Sequence, residues 1–258
     1  MKRTRIGRDG REDERAVTEL VGFVLVFGTV VLAVALVSVV GVQSLDLHDQ
    51  HQSAREVDRA LIGLAGDFDD IARYEGVHER THQLPVRGGR IETGESGPRV
   101  DLAVEHGDRI ETESWQLGSL VYEDGSTAVA YEGGGVFRLS NMGERTPVVE
   151  PRLACTDGIA LVSLVTIAED GGSYRSDGPI PITATETGAS YRKTFSDVRS
   201  LEVAVDTDGT DAHGWEGAFD EEWVRTSEGW ACSGSNDDPI DRLSVHVVEL
   251  DVEYAAAA

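Results

Sequence analysis

From Leu20 to Val42 the chain reads LVGFVLVFGTVVLAVALVSVVGV, 23 residues without a charged side chain. A helix of that length rises roughly 35 Å at about 1.5 Å per residue, and a hydrocarbon core is about 30 Å thick. The run predicts a retained transmembrane helix. A helix packed in a protein core normally keeps a polar face, and the apolar region of a cleavable secretory signal is only about 7–15 residues long. Beyond the run, Ala54, Val57, Leu61, Leu64, Phe68 and Ile71 recur at spacings of three and four, with Arg55, Glu56, Asp58, Arg59, Asp67 and Asp70 between them. That period predicts an amphipathic helix over 49–74. The first proline is Pro85, so the two predicted helices can be continuous. The apolar stripe packs either on the chain's own sheet or on identical helices in an oligomer.

From residue 85 the period changes from 3.6 to 2. Candidate strands cover 89–92, 98–104, 108–115, 116–122, 126–131, 136–139, 148–153, 159–167, 180–184, 190–195, 200–205 and 243–254. Glycine-bearing turns separate them, and Asp124-Gly125 between two apolar alternations is the strongest hairpin signal. The segment IALVSLVTI at 159–167 is the most apolar and is expected to be central; it is too short for a second helical crossing. In the last strand the inward set Leu243, Val245, Val247 shifts phase to Val248, Leu250, Val252, Tyr254, which predicts a bulge or a strand shared between two packing faces. The pattern as a whole predicts an α+β chain: a long N-terminal transmembrane helix continuing into an amphipathic helix, then a mainly antiparallel β ectodomain, a pilin-like lollipop or a β-sandwich. The divisions are a tail at 1–19, the span at 20–42, a helical stalk at 43–76 and an acidic β-rich domain at 85–258.

Charge orients this arrangement. The formal net charge is −24. Residues 1–19 hold six basic side chains (Lys2, Arg3, Arg5, Arg8, Arg11, Arg15) against five acidic ones. The remainder therefore carries 17 basic and 42 acidic groups, a net of −25. Basic residues flanking a span stay inside, so the expected localisation is a single-pass cell-membrane protein with a cytoplasmic N-terminus and an extracellular C-terminal domain, the bilayer being its first partner. So acidic a domain repels the phosphate backbone, which argues against nucleic acid as a partner. Acidic excess with only two lysines, Lys2 and Lys193, also suits a halophilic setting in which salt screens self-repulsion. Outside the membrane, Cys155 and Cys232 form either one disulfide closing a long loop or two buried thiols.

Residues 14–28, ERAVTELVGFVLVFG, switch abruptly from charged to apolar. A charged pair, a small residue and an acidic side chain at the mouth of the apolar run resemble the class III signal peptide of type IV pilins and archaellins, and the stretch is similar to the amino termini of haloarchaeal pilin-like, membrane-anchored proteins of uncharacterised function. The resemblance covers about 30 residues and departs from the family in having Thr18 and Glu19 where Ser-Pro is usual. It implies a prepilin peptidase as partner, processing between Ala16 and Val17 with Arg15 and Glu19 flanking the cut, and identical or related pilin-like subunits meeting through the apolar helix. Glu19 has a second reading as an acidic group favoured at a helix amino terminus.

Candidate chemistry is sparse. The seven histidines make no HExxH; His78 and His82 are four apart and read as surface residues. No serine lies in a GxSxG context and no loop has a phosphate-cradling pattern, so the expectation is that the chain is not an enzyme and has no resident cofactor. Asp206, Asp208 and Asp211, in DTDGTD, set three carboxylates on a glycine turn of the kind that can surround Ca2+, without the full twelve-residue pattern. Trp215, Trp223 and Trp230 either line a binding surface for sugar or protein or fill the core of an irregular cap. The expected function is a membrane-anchored, pilin-like or pseudopilin-like structural protein of an archaeal cell surface, assembling into a filament or surface complex. The alternative is a monomeric anchored extracellular binding module for glycan or protein.

Overall fold

The computed structural model describes residues 10–84, 89–94, 97–125, 127–140, 144–156, 158–168, 172–175, 178–207, 213–233 and 239–254; side chains are described for 22–35 and from 55 onward, apart from Thr127 and His213. The elements in order are α1 (Gly10–Arg73), β1 (Glu79–Leu84), β2 (Arg90–Gly94), β3 (Arg99–His106), β4 (Arg109–Gln116), β5 (Ser119–Asp124), β6 (Thr127–Glu132), β7 (Gly135–Leu139), β8 (Arg145–Val149) and β9 (Arg152–Thr156). They continue with β10 (Ile159–Ile167), β11 (Ser173–Arg175), β12 (Ile180–Glu186), β13 (Tyr191–Asp206), α2 (His213–Glu216), β14 (Val224–Arg225), β15 (Trp230–Ser233) and β16 (Ile240–Tyr254). The chain divides into two units, Met1–Gln52 and Ser53–Ala258.

The first unit holds the start of α1. Residues 10–15, within the stretch read as a tail, are helical. Phe23, Val24, Leu25, Val26, Phe27, Val30, Val31, Leu32 and Val34 are exposed, Phe23 stacks on Phe27 one turn on, and the Thr29 hydroxyl donates to the Val26 carbonyl at 2.8 Å. Among the described residues no helix is long and apolar enough to cross a membrane. That finding corrects the expected span at 20–42 and the pilin-like lollipop built on it. It equally removes the single-pass localisation with its cytoplasmic and extracellular sides, and the lipid bilayer as a partner.

In the second unit the stripe of α1 is spent inside the chain. Val57, Leu61, Leu64, Phe68 and Ile71 are each at most 3% exposed and share one core with residues from two sheets, among them Ile182, Leu250 and Val165 from one and Ile91, Tyr122 and Val136 from the other. This face is buried against the chain's own strands, the first of the two alternatives that its period leaves open. The smaller sheet is antiparallel in the order β11-β2-β5-β6-β7-β8; Asp124 pairs with Thr127 across the β5–β6 turn, where Gly125 takes φ 54°.

The ten-stranded sheet is built on β16, which pairs antiparallel with β12 and β13 and parallel with β10. Within a mainly antiparallel arrangement, this parallel pair is one that the strand pattern did not single out. β10 lies between β16 and β9. β13 joins the two strands expected at 190–195 and 200–205: it runs on β16 up to Val198, then continues between β3 and β15 after a register shift at Val198/Ser200. Asp197, beside the shift, has φ 54°, a backbone conformation that short polar side chains tolerate.

The phase slip in β16 has a clear cause. Leu243, Val245 and Val247 belong to a second core, whereas Val248, Leu250 and Val252 belong to the core containing α1. β10 makes the same change, from Ala160, Val162 and Leu164 to Val165 and Ile167. The two changes are level, since Leu164 pairs with Val247 and Val165 with Val248, with no shift in register. Successive side chains alternate between faces, so the ladder is continuous and the burial crosses from one face to the other. Trp215, Phe219, Trp223 and Trp230 fill the second core, under which Cys155 of β9 and Cys232 of β15 are joined by a disulfide with Cα atoms 5.9 Å apart.

Ion pairs tie β1 into this frame. Arg80 lies 3.6 Å from Asp70 and His82 2.7 Å from Asp67, both partners on α1. Glu186, at the end of β12, takes His78 Nδ1 at 3.0 Å and Arg192 Nη1 at 2.8 Å. Burial alone would raise the Glu186 carboxyl; the hydrogen bonds from His78, Arg192 and Ser190 outweigh it and hold the group below its ordinary 4.5.

Two predictions follow from these links. Glu186 contributes stability that is present above the unfolded-state value near pH 4.5 and is lost as pH falls through the lower folded value. Glu186→Gln should lower stability at pH 7 and flatten its dependence below about pH 4.5; urea unfolding from pH 3 to 7 in which wild type and variant run parallel would refute the role. The disulfide closes a loop with sequence separation 77, for which the chain-entropy account gives about 4.5 kcal/mol. The double replacement Cys155→Ala with Cys232→Ala should lose that amount in denaturant unfolding, and a loss under about 1 kcal/mol would show that the link adds little constraint.

Candidate ligand-binding cleft

One side of α1 just off its buried stripe carries Ile62, Ala65, Gly66, Asp69 and Ala72, positions that a 3.6-residue period sets in a row. Three of the five are small. Where they face the sheets a cleft of about 150 Å³ remains, closed on the other sides by Tyr131, Gly134, Val149, Glu150, Arg152, Ser163 and Val165. Tyr131 comes from β6, the Gly134 turn follows it, Val149 ends β8, Arg152 opens β9, and Ser163 and Val165 stand on β10. Gly134, in the tight β6–β7 turn that forms part of this wall, has φ 101°, a value suited to glycine.

Tyr131 is wholly buried, and its ring meets Phe68 edge-on with centroids 5.0 Å apart. Its hydroxyl has no hydrogen-bond partner among the described residues. Burial pushes the phenol well above its ordinary value of 10, and the negative charge of Asp69 pushes it further. The group therefore stays protonated and can donate. At the rim, Asp69 Oδ2 takes Arg73 Nη1 at 3.2 Å and Arg152 Nη2 at 3.1 Å. The result is a recess with mostly apolar walls, the buried Tyr131 ring behind it and a doubly paired carboxylate at its edge.

A second, shallower trough of about 420 Å³ lies on the face of β3, β4 and β13, lined by Asp101, Glu113, Glu202 and Glu228. Two of these carboxylates have protein partners: Arg99 Nη2 lies 3.1 Å from Asp101 Oδ2, and the Thr226 hydroxyl donates to Glu202 Oε1 at 2.8 Å.

The residues singled out from sequence lie elsewhere. Arg15, Ala16, Val17 and Glu19 are within α1, their side chains outside the described residues. Asp206 is exposed at the end of β13, while Asp208 and Asp211 lie outside the described residues. Among the described residues no three His, Cys, Asp or Glu side chains are grouped to hold a metal ion. Trp215, Trp223 and Trp230 are 0%, 6% and 8% exposed and belong to the second core. His82 is half-buried against Gly63, at which a Cβ would meet its ring at 2.7 Å. Tyr131, Asp69 and Arg152 were not singled out; the available signal was the adjacent small pair Ala65-Gly66 inside a helical period.

A β sandwich of two sheets with one face closed by a helix defines the class of this protein. The chain belongs to the family of unknown function DUF7289, whose model matches residues 15–253. No curated protein and no solved structure matches it. Membership of that family replaces the resemblance to pilins and archaellins. The pilin-like structural function, the filament, the prepilin peptidase and pilin-like subunits as partners, and the anchored glycan- or protein-binding alternative are corrected with it, because each presupposed a membrane-crossing helix that the described residues do not contain.

An unsatisfied buried hydroxyl costs about 1–3 kcal/mol, and phenylalanine keeps the shape of the ring. Tyr131→Phe should therefore raise the stability of the unliganded protein by about 1 kcal/mol in urea unfolding. A comparable fall would show that the hydroxyl is already satisfied.

Proposed function

We propose that this chain is a non-catalytic binding protein that takes a small molecule into the cleft between α1 and the sheets. The observation that carries the reading is the cleft itself, about 150 Å³ beside α1. A pocket with mostly apolar walls and a few placed polar groups is the usual form of a small-molecule site. The charged pair Asp69–Arg152 is committed to itself at the rim, an arrangement that serves to hold and orient a guest. The cleft draws on α1, β6, β9 and β10, so a guest would also clamp the helix to both sheets and stabilise the folded state by mass action.

The test is a fragment titration of the full chain, followed through methyl resonances of Ala65, Val149 and Val165. A guest of six to eight heavy atoms should bind with a Kd of about 1 mM, shift those methyls and raise Tm. If no fragment at up to about 10 mM, ten times that Kd, moves those signals, the cleft is not a binding site.

A further inference from the structure

Where burial in β10 and β16 passes to the second core, the opposite face of the large sheet is left uncovered. Three cross-strand rows point outward there, each crossing β9, β10, β16 and β13 in that order. The row next to α1 is Arg152, Ser163, His246 and Arg192. The middle row is Ala154, Leu161, Ser244 and Thr194. The far row is Thr156, Ile159, Arg242 and Ser196. None of these residues is buried, while the alternate positions, Leu153, Val162 and Val245 among them, turn into the second core.

We propose that this face docks a short acidic segment of a partner protein, a role separate from the cleft that it borders through Arg152 and Ser163. Charge carries the inference. Asp and Glu make up 47 of the 258 residues, and the trough on β3, β4 and β13 shows the usual result, with Asp101, Glu113 and Glu202 together. The three rows hold three arginines, one histidine and no carboxylate. Acidic groups stand only at the borders. On the α1 side Asp69 meets Arg152 at 3.1 Å and Glu186 meets Arg192 at 2.8 Å; Asp197 and Asp241 lie past the far row, where the register shifts. Those pairs hold two guanidinium groups at one edge, and Arg242 stands at the other without an ion-pair partner among the described residues.

Carboxylates answer this face. They accept two-pronged hydrogen bonds from guanidinium groups and single ones from the hydroxyls of Ser163, Ser244, Thr194 and Ser196. A basic or neutral segment would cover the arginines without pairing them. Leu161 and Ile159, the latter 56% exposed, run along β10 and offer an apolar step for an aliphatic side chain of the guest. The net charge of −24 repels such a guest at a distance, but at about 0.15 M salt that repulsion is screened beyond about 8 Å, and the local contacts decide.

Size selects a segment. Strands about 4.8 Å apart with about 3.4 Å of rise per residue make the face roughly 14 Å square, about 200 Å². A stable contact between folded domains takes about 800 Å² from each partner, so a second copy of the chain would find too little area.

The experiment titrates the full chain at about 0.15 M salt with two capped hexapeptides, Glu-Glu-Leu-Glu-Glu-Leu and Lys-Lys-Leu-Lys-Lys-Leu, and with inorganic phosphate. Methyl resonances of Ala154, Ile159 and Leu161 report the face, and those of Ala65 and Val149 the cleft. The acidic peptide should shift the first set with a Kd of about 0.3 mM, about ten-fold tighter than the lysine peptide or phosphate. Arg242→Gln and Thr194→Glu, both at exposed positions, should each weaken it about three-fold with Tm unchanged. Equal affinity for the two peptides would overturn the acidic class, and phosphate as tight as the acidic peptide would reduce the face to a small-anion site. Shifts confined to the cleft methyls would place the peptide there instead and overturn the docking face. Self-association lost in Arg242→Gln, without peptide binding, would assign the face to a second copy. No shift at about 3 mM acidic peptide, ten times the expected Kd, would remove the proposal and leave the reading of the cleft untouched.

Discussion

The second unit depends on one constraint: the parallel pair β10–β16 must be covered on one face along half its length and on the other face along the rest. A sheet covered on one face only shows a single unbroken alternation of buried and exposed positions. Here the alternation breaks at Leu164/Val165 and Val247/Val248, level with each other in the ladder. Two separate covers are therefore required. The stripe of α1 with the six-stranded sheet supplies one, and the tryptophan-rich segment after β13 supplies the other. Each fully buried aliphatic side chain is worth about 1.5–3 kcal/mol, so neither cover can be lost without exposing several such groups at once. The disulfide lies in the second core, where the chain between β13 and β16 has little regular structure of its own.

Electrostatics then fix how α1 lies on the sheets. Its carboxylates alternate with the apolar stripe and reach separate strands: Asp58 to Arg138 on β7, Asp67 to His82 and Asp70 to Arg80 on β1, Asp69 to Arg152 on β9. Asp58 is only 5% exposed and is held by the Arg138 guanidinium, with Nε at 3.0 and 3.2 Å from its two oxygens. The same contact raises the already high pKa of Arg138. Removal of Arg138 would strand the buried Asp58 carboxylate, which is far more costly than the pair is stabilising, whereas Arg138, half exposed, would be left to solvent. The exposed pairs on β1 contribute little energy individually but set the rotation of the helix about its axis. In a chain of net charge −24 these few basic side chains sit where the acidic helix meets the strands.

Much of this was legible where one period acts over several turns. The stripe Val57 to Ile71 is visible because packing on a sheet demands a 3.6-residue repeat, and the change of face in β16 is visible because alternation has a period of two. The parallel pairing was not, since β10 reads as an apolar run of nine residues that carries no sign of its partner's direction. β1 was missed because ERTHQL has one buried side chain, Leu84, and is held by ion pairs that no local pattern announces. The apolar run from Leu20 to Val42 marks another limit: hydropathy reports how apolar a segment is and not what surrounds it. The cleft was hidden for a third reason. Its lining comes from α1, β6, β9 and β10, so no contiguous motif exists.

The cleft's origin is a packing argument. A helix seated on two sheets meets them along its stripe, and the side nearest the stripe must be filled by large side chains or left hollow. α1 has Ala65, Gly66 and Ala72 there, and β10 offers Ser163 before Val165. Interiors are normally close-packed, and a hollow of this size would ordinarily be reduced by leucine or isoleucine at the same positions. The tyrosine at 131 sharpens the point, since phenylalanine would pack equally well against Phe68 without burying a hydroxyl that lacks a partner. Small residues and an idle donor each lower the stability of the empty protein. A guest in the hollow would recover the packing contacts that the small residues forgo.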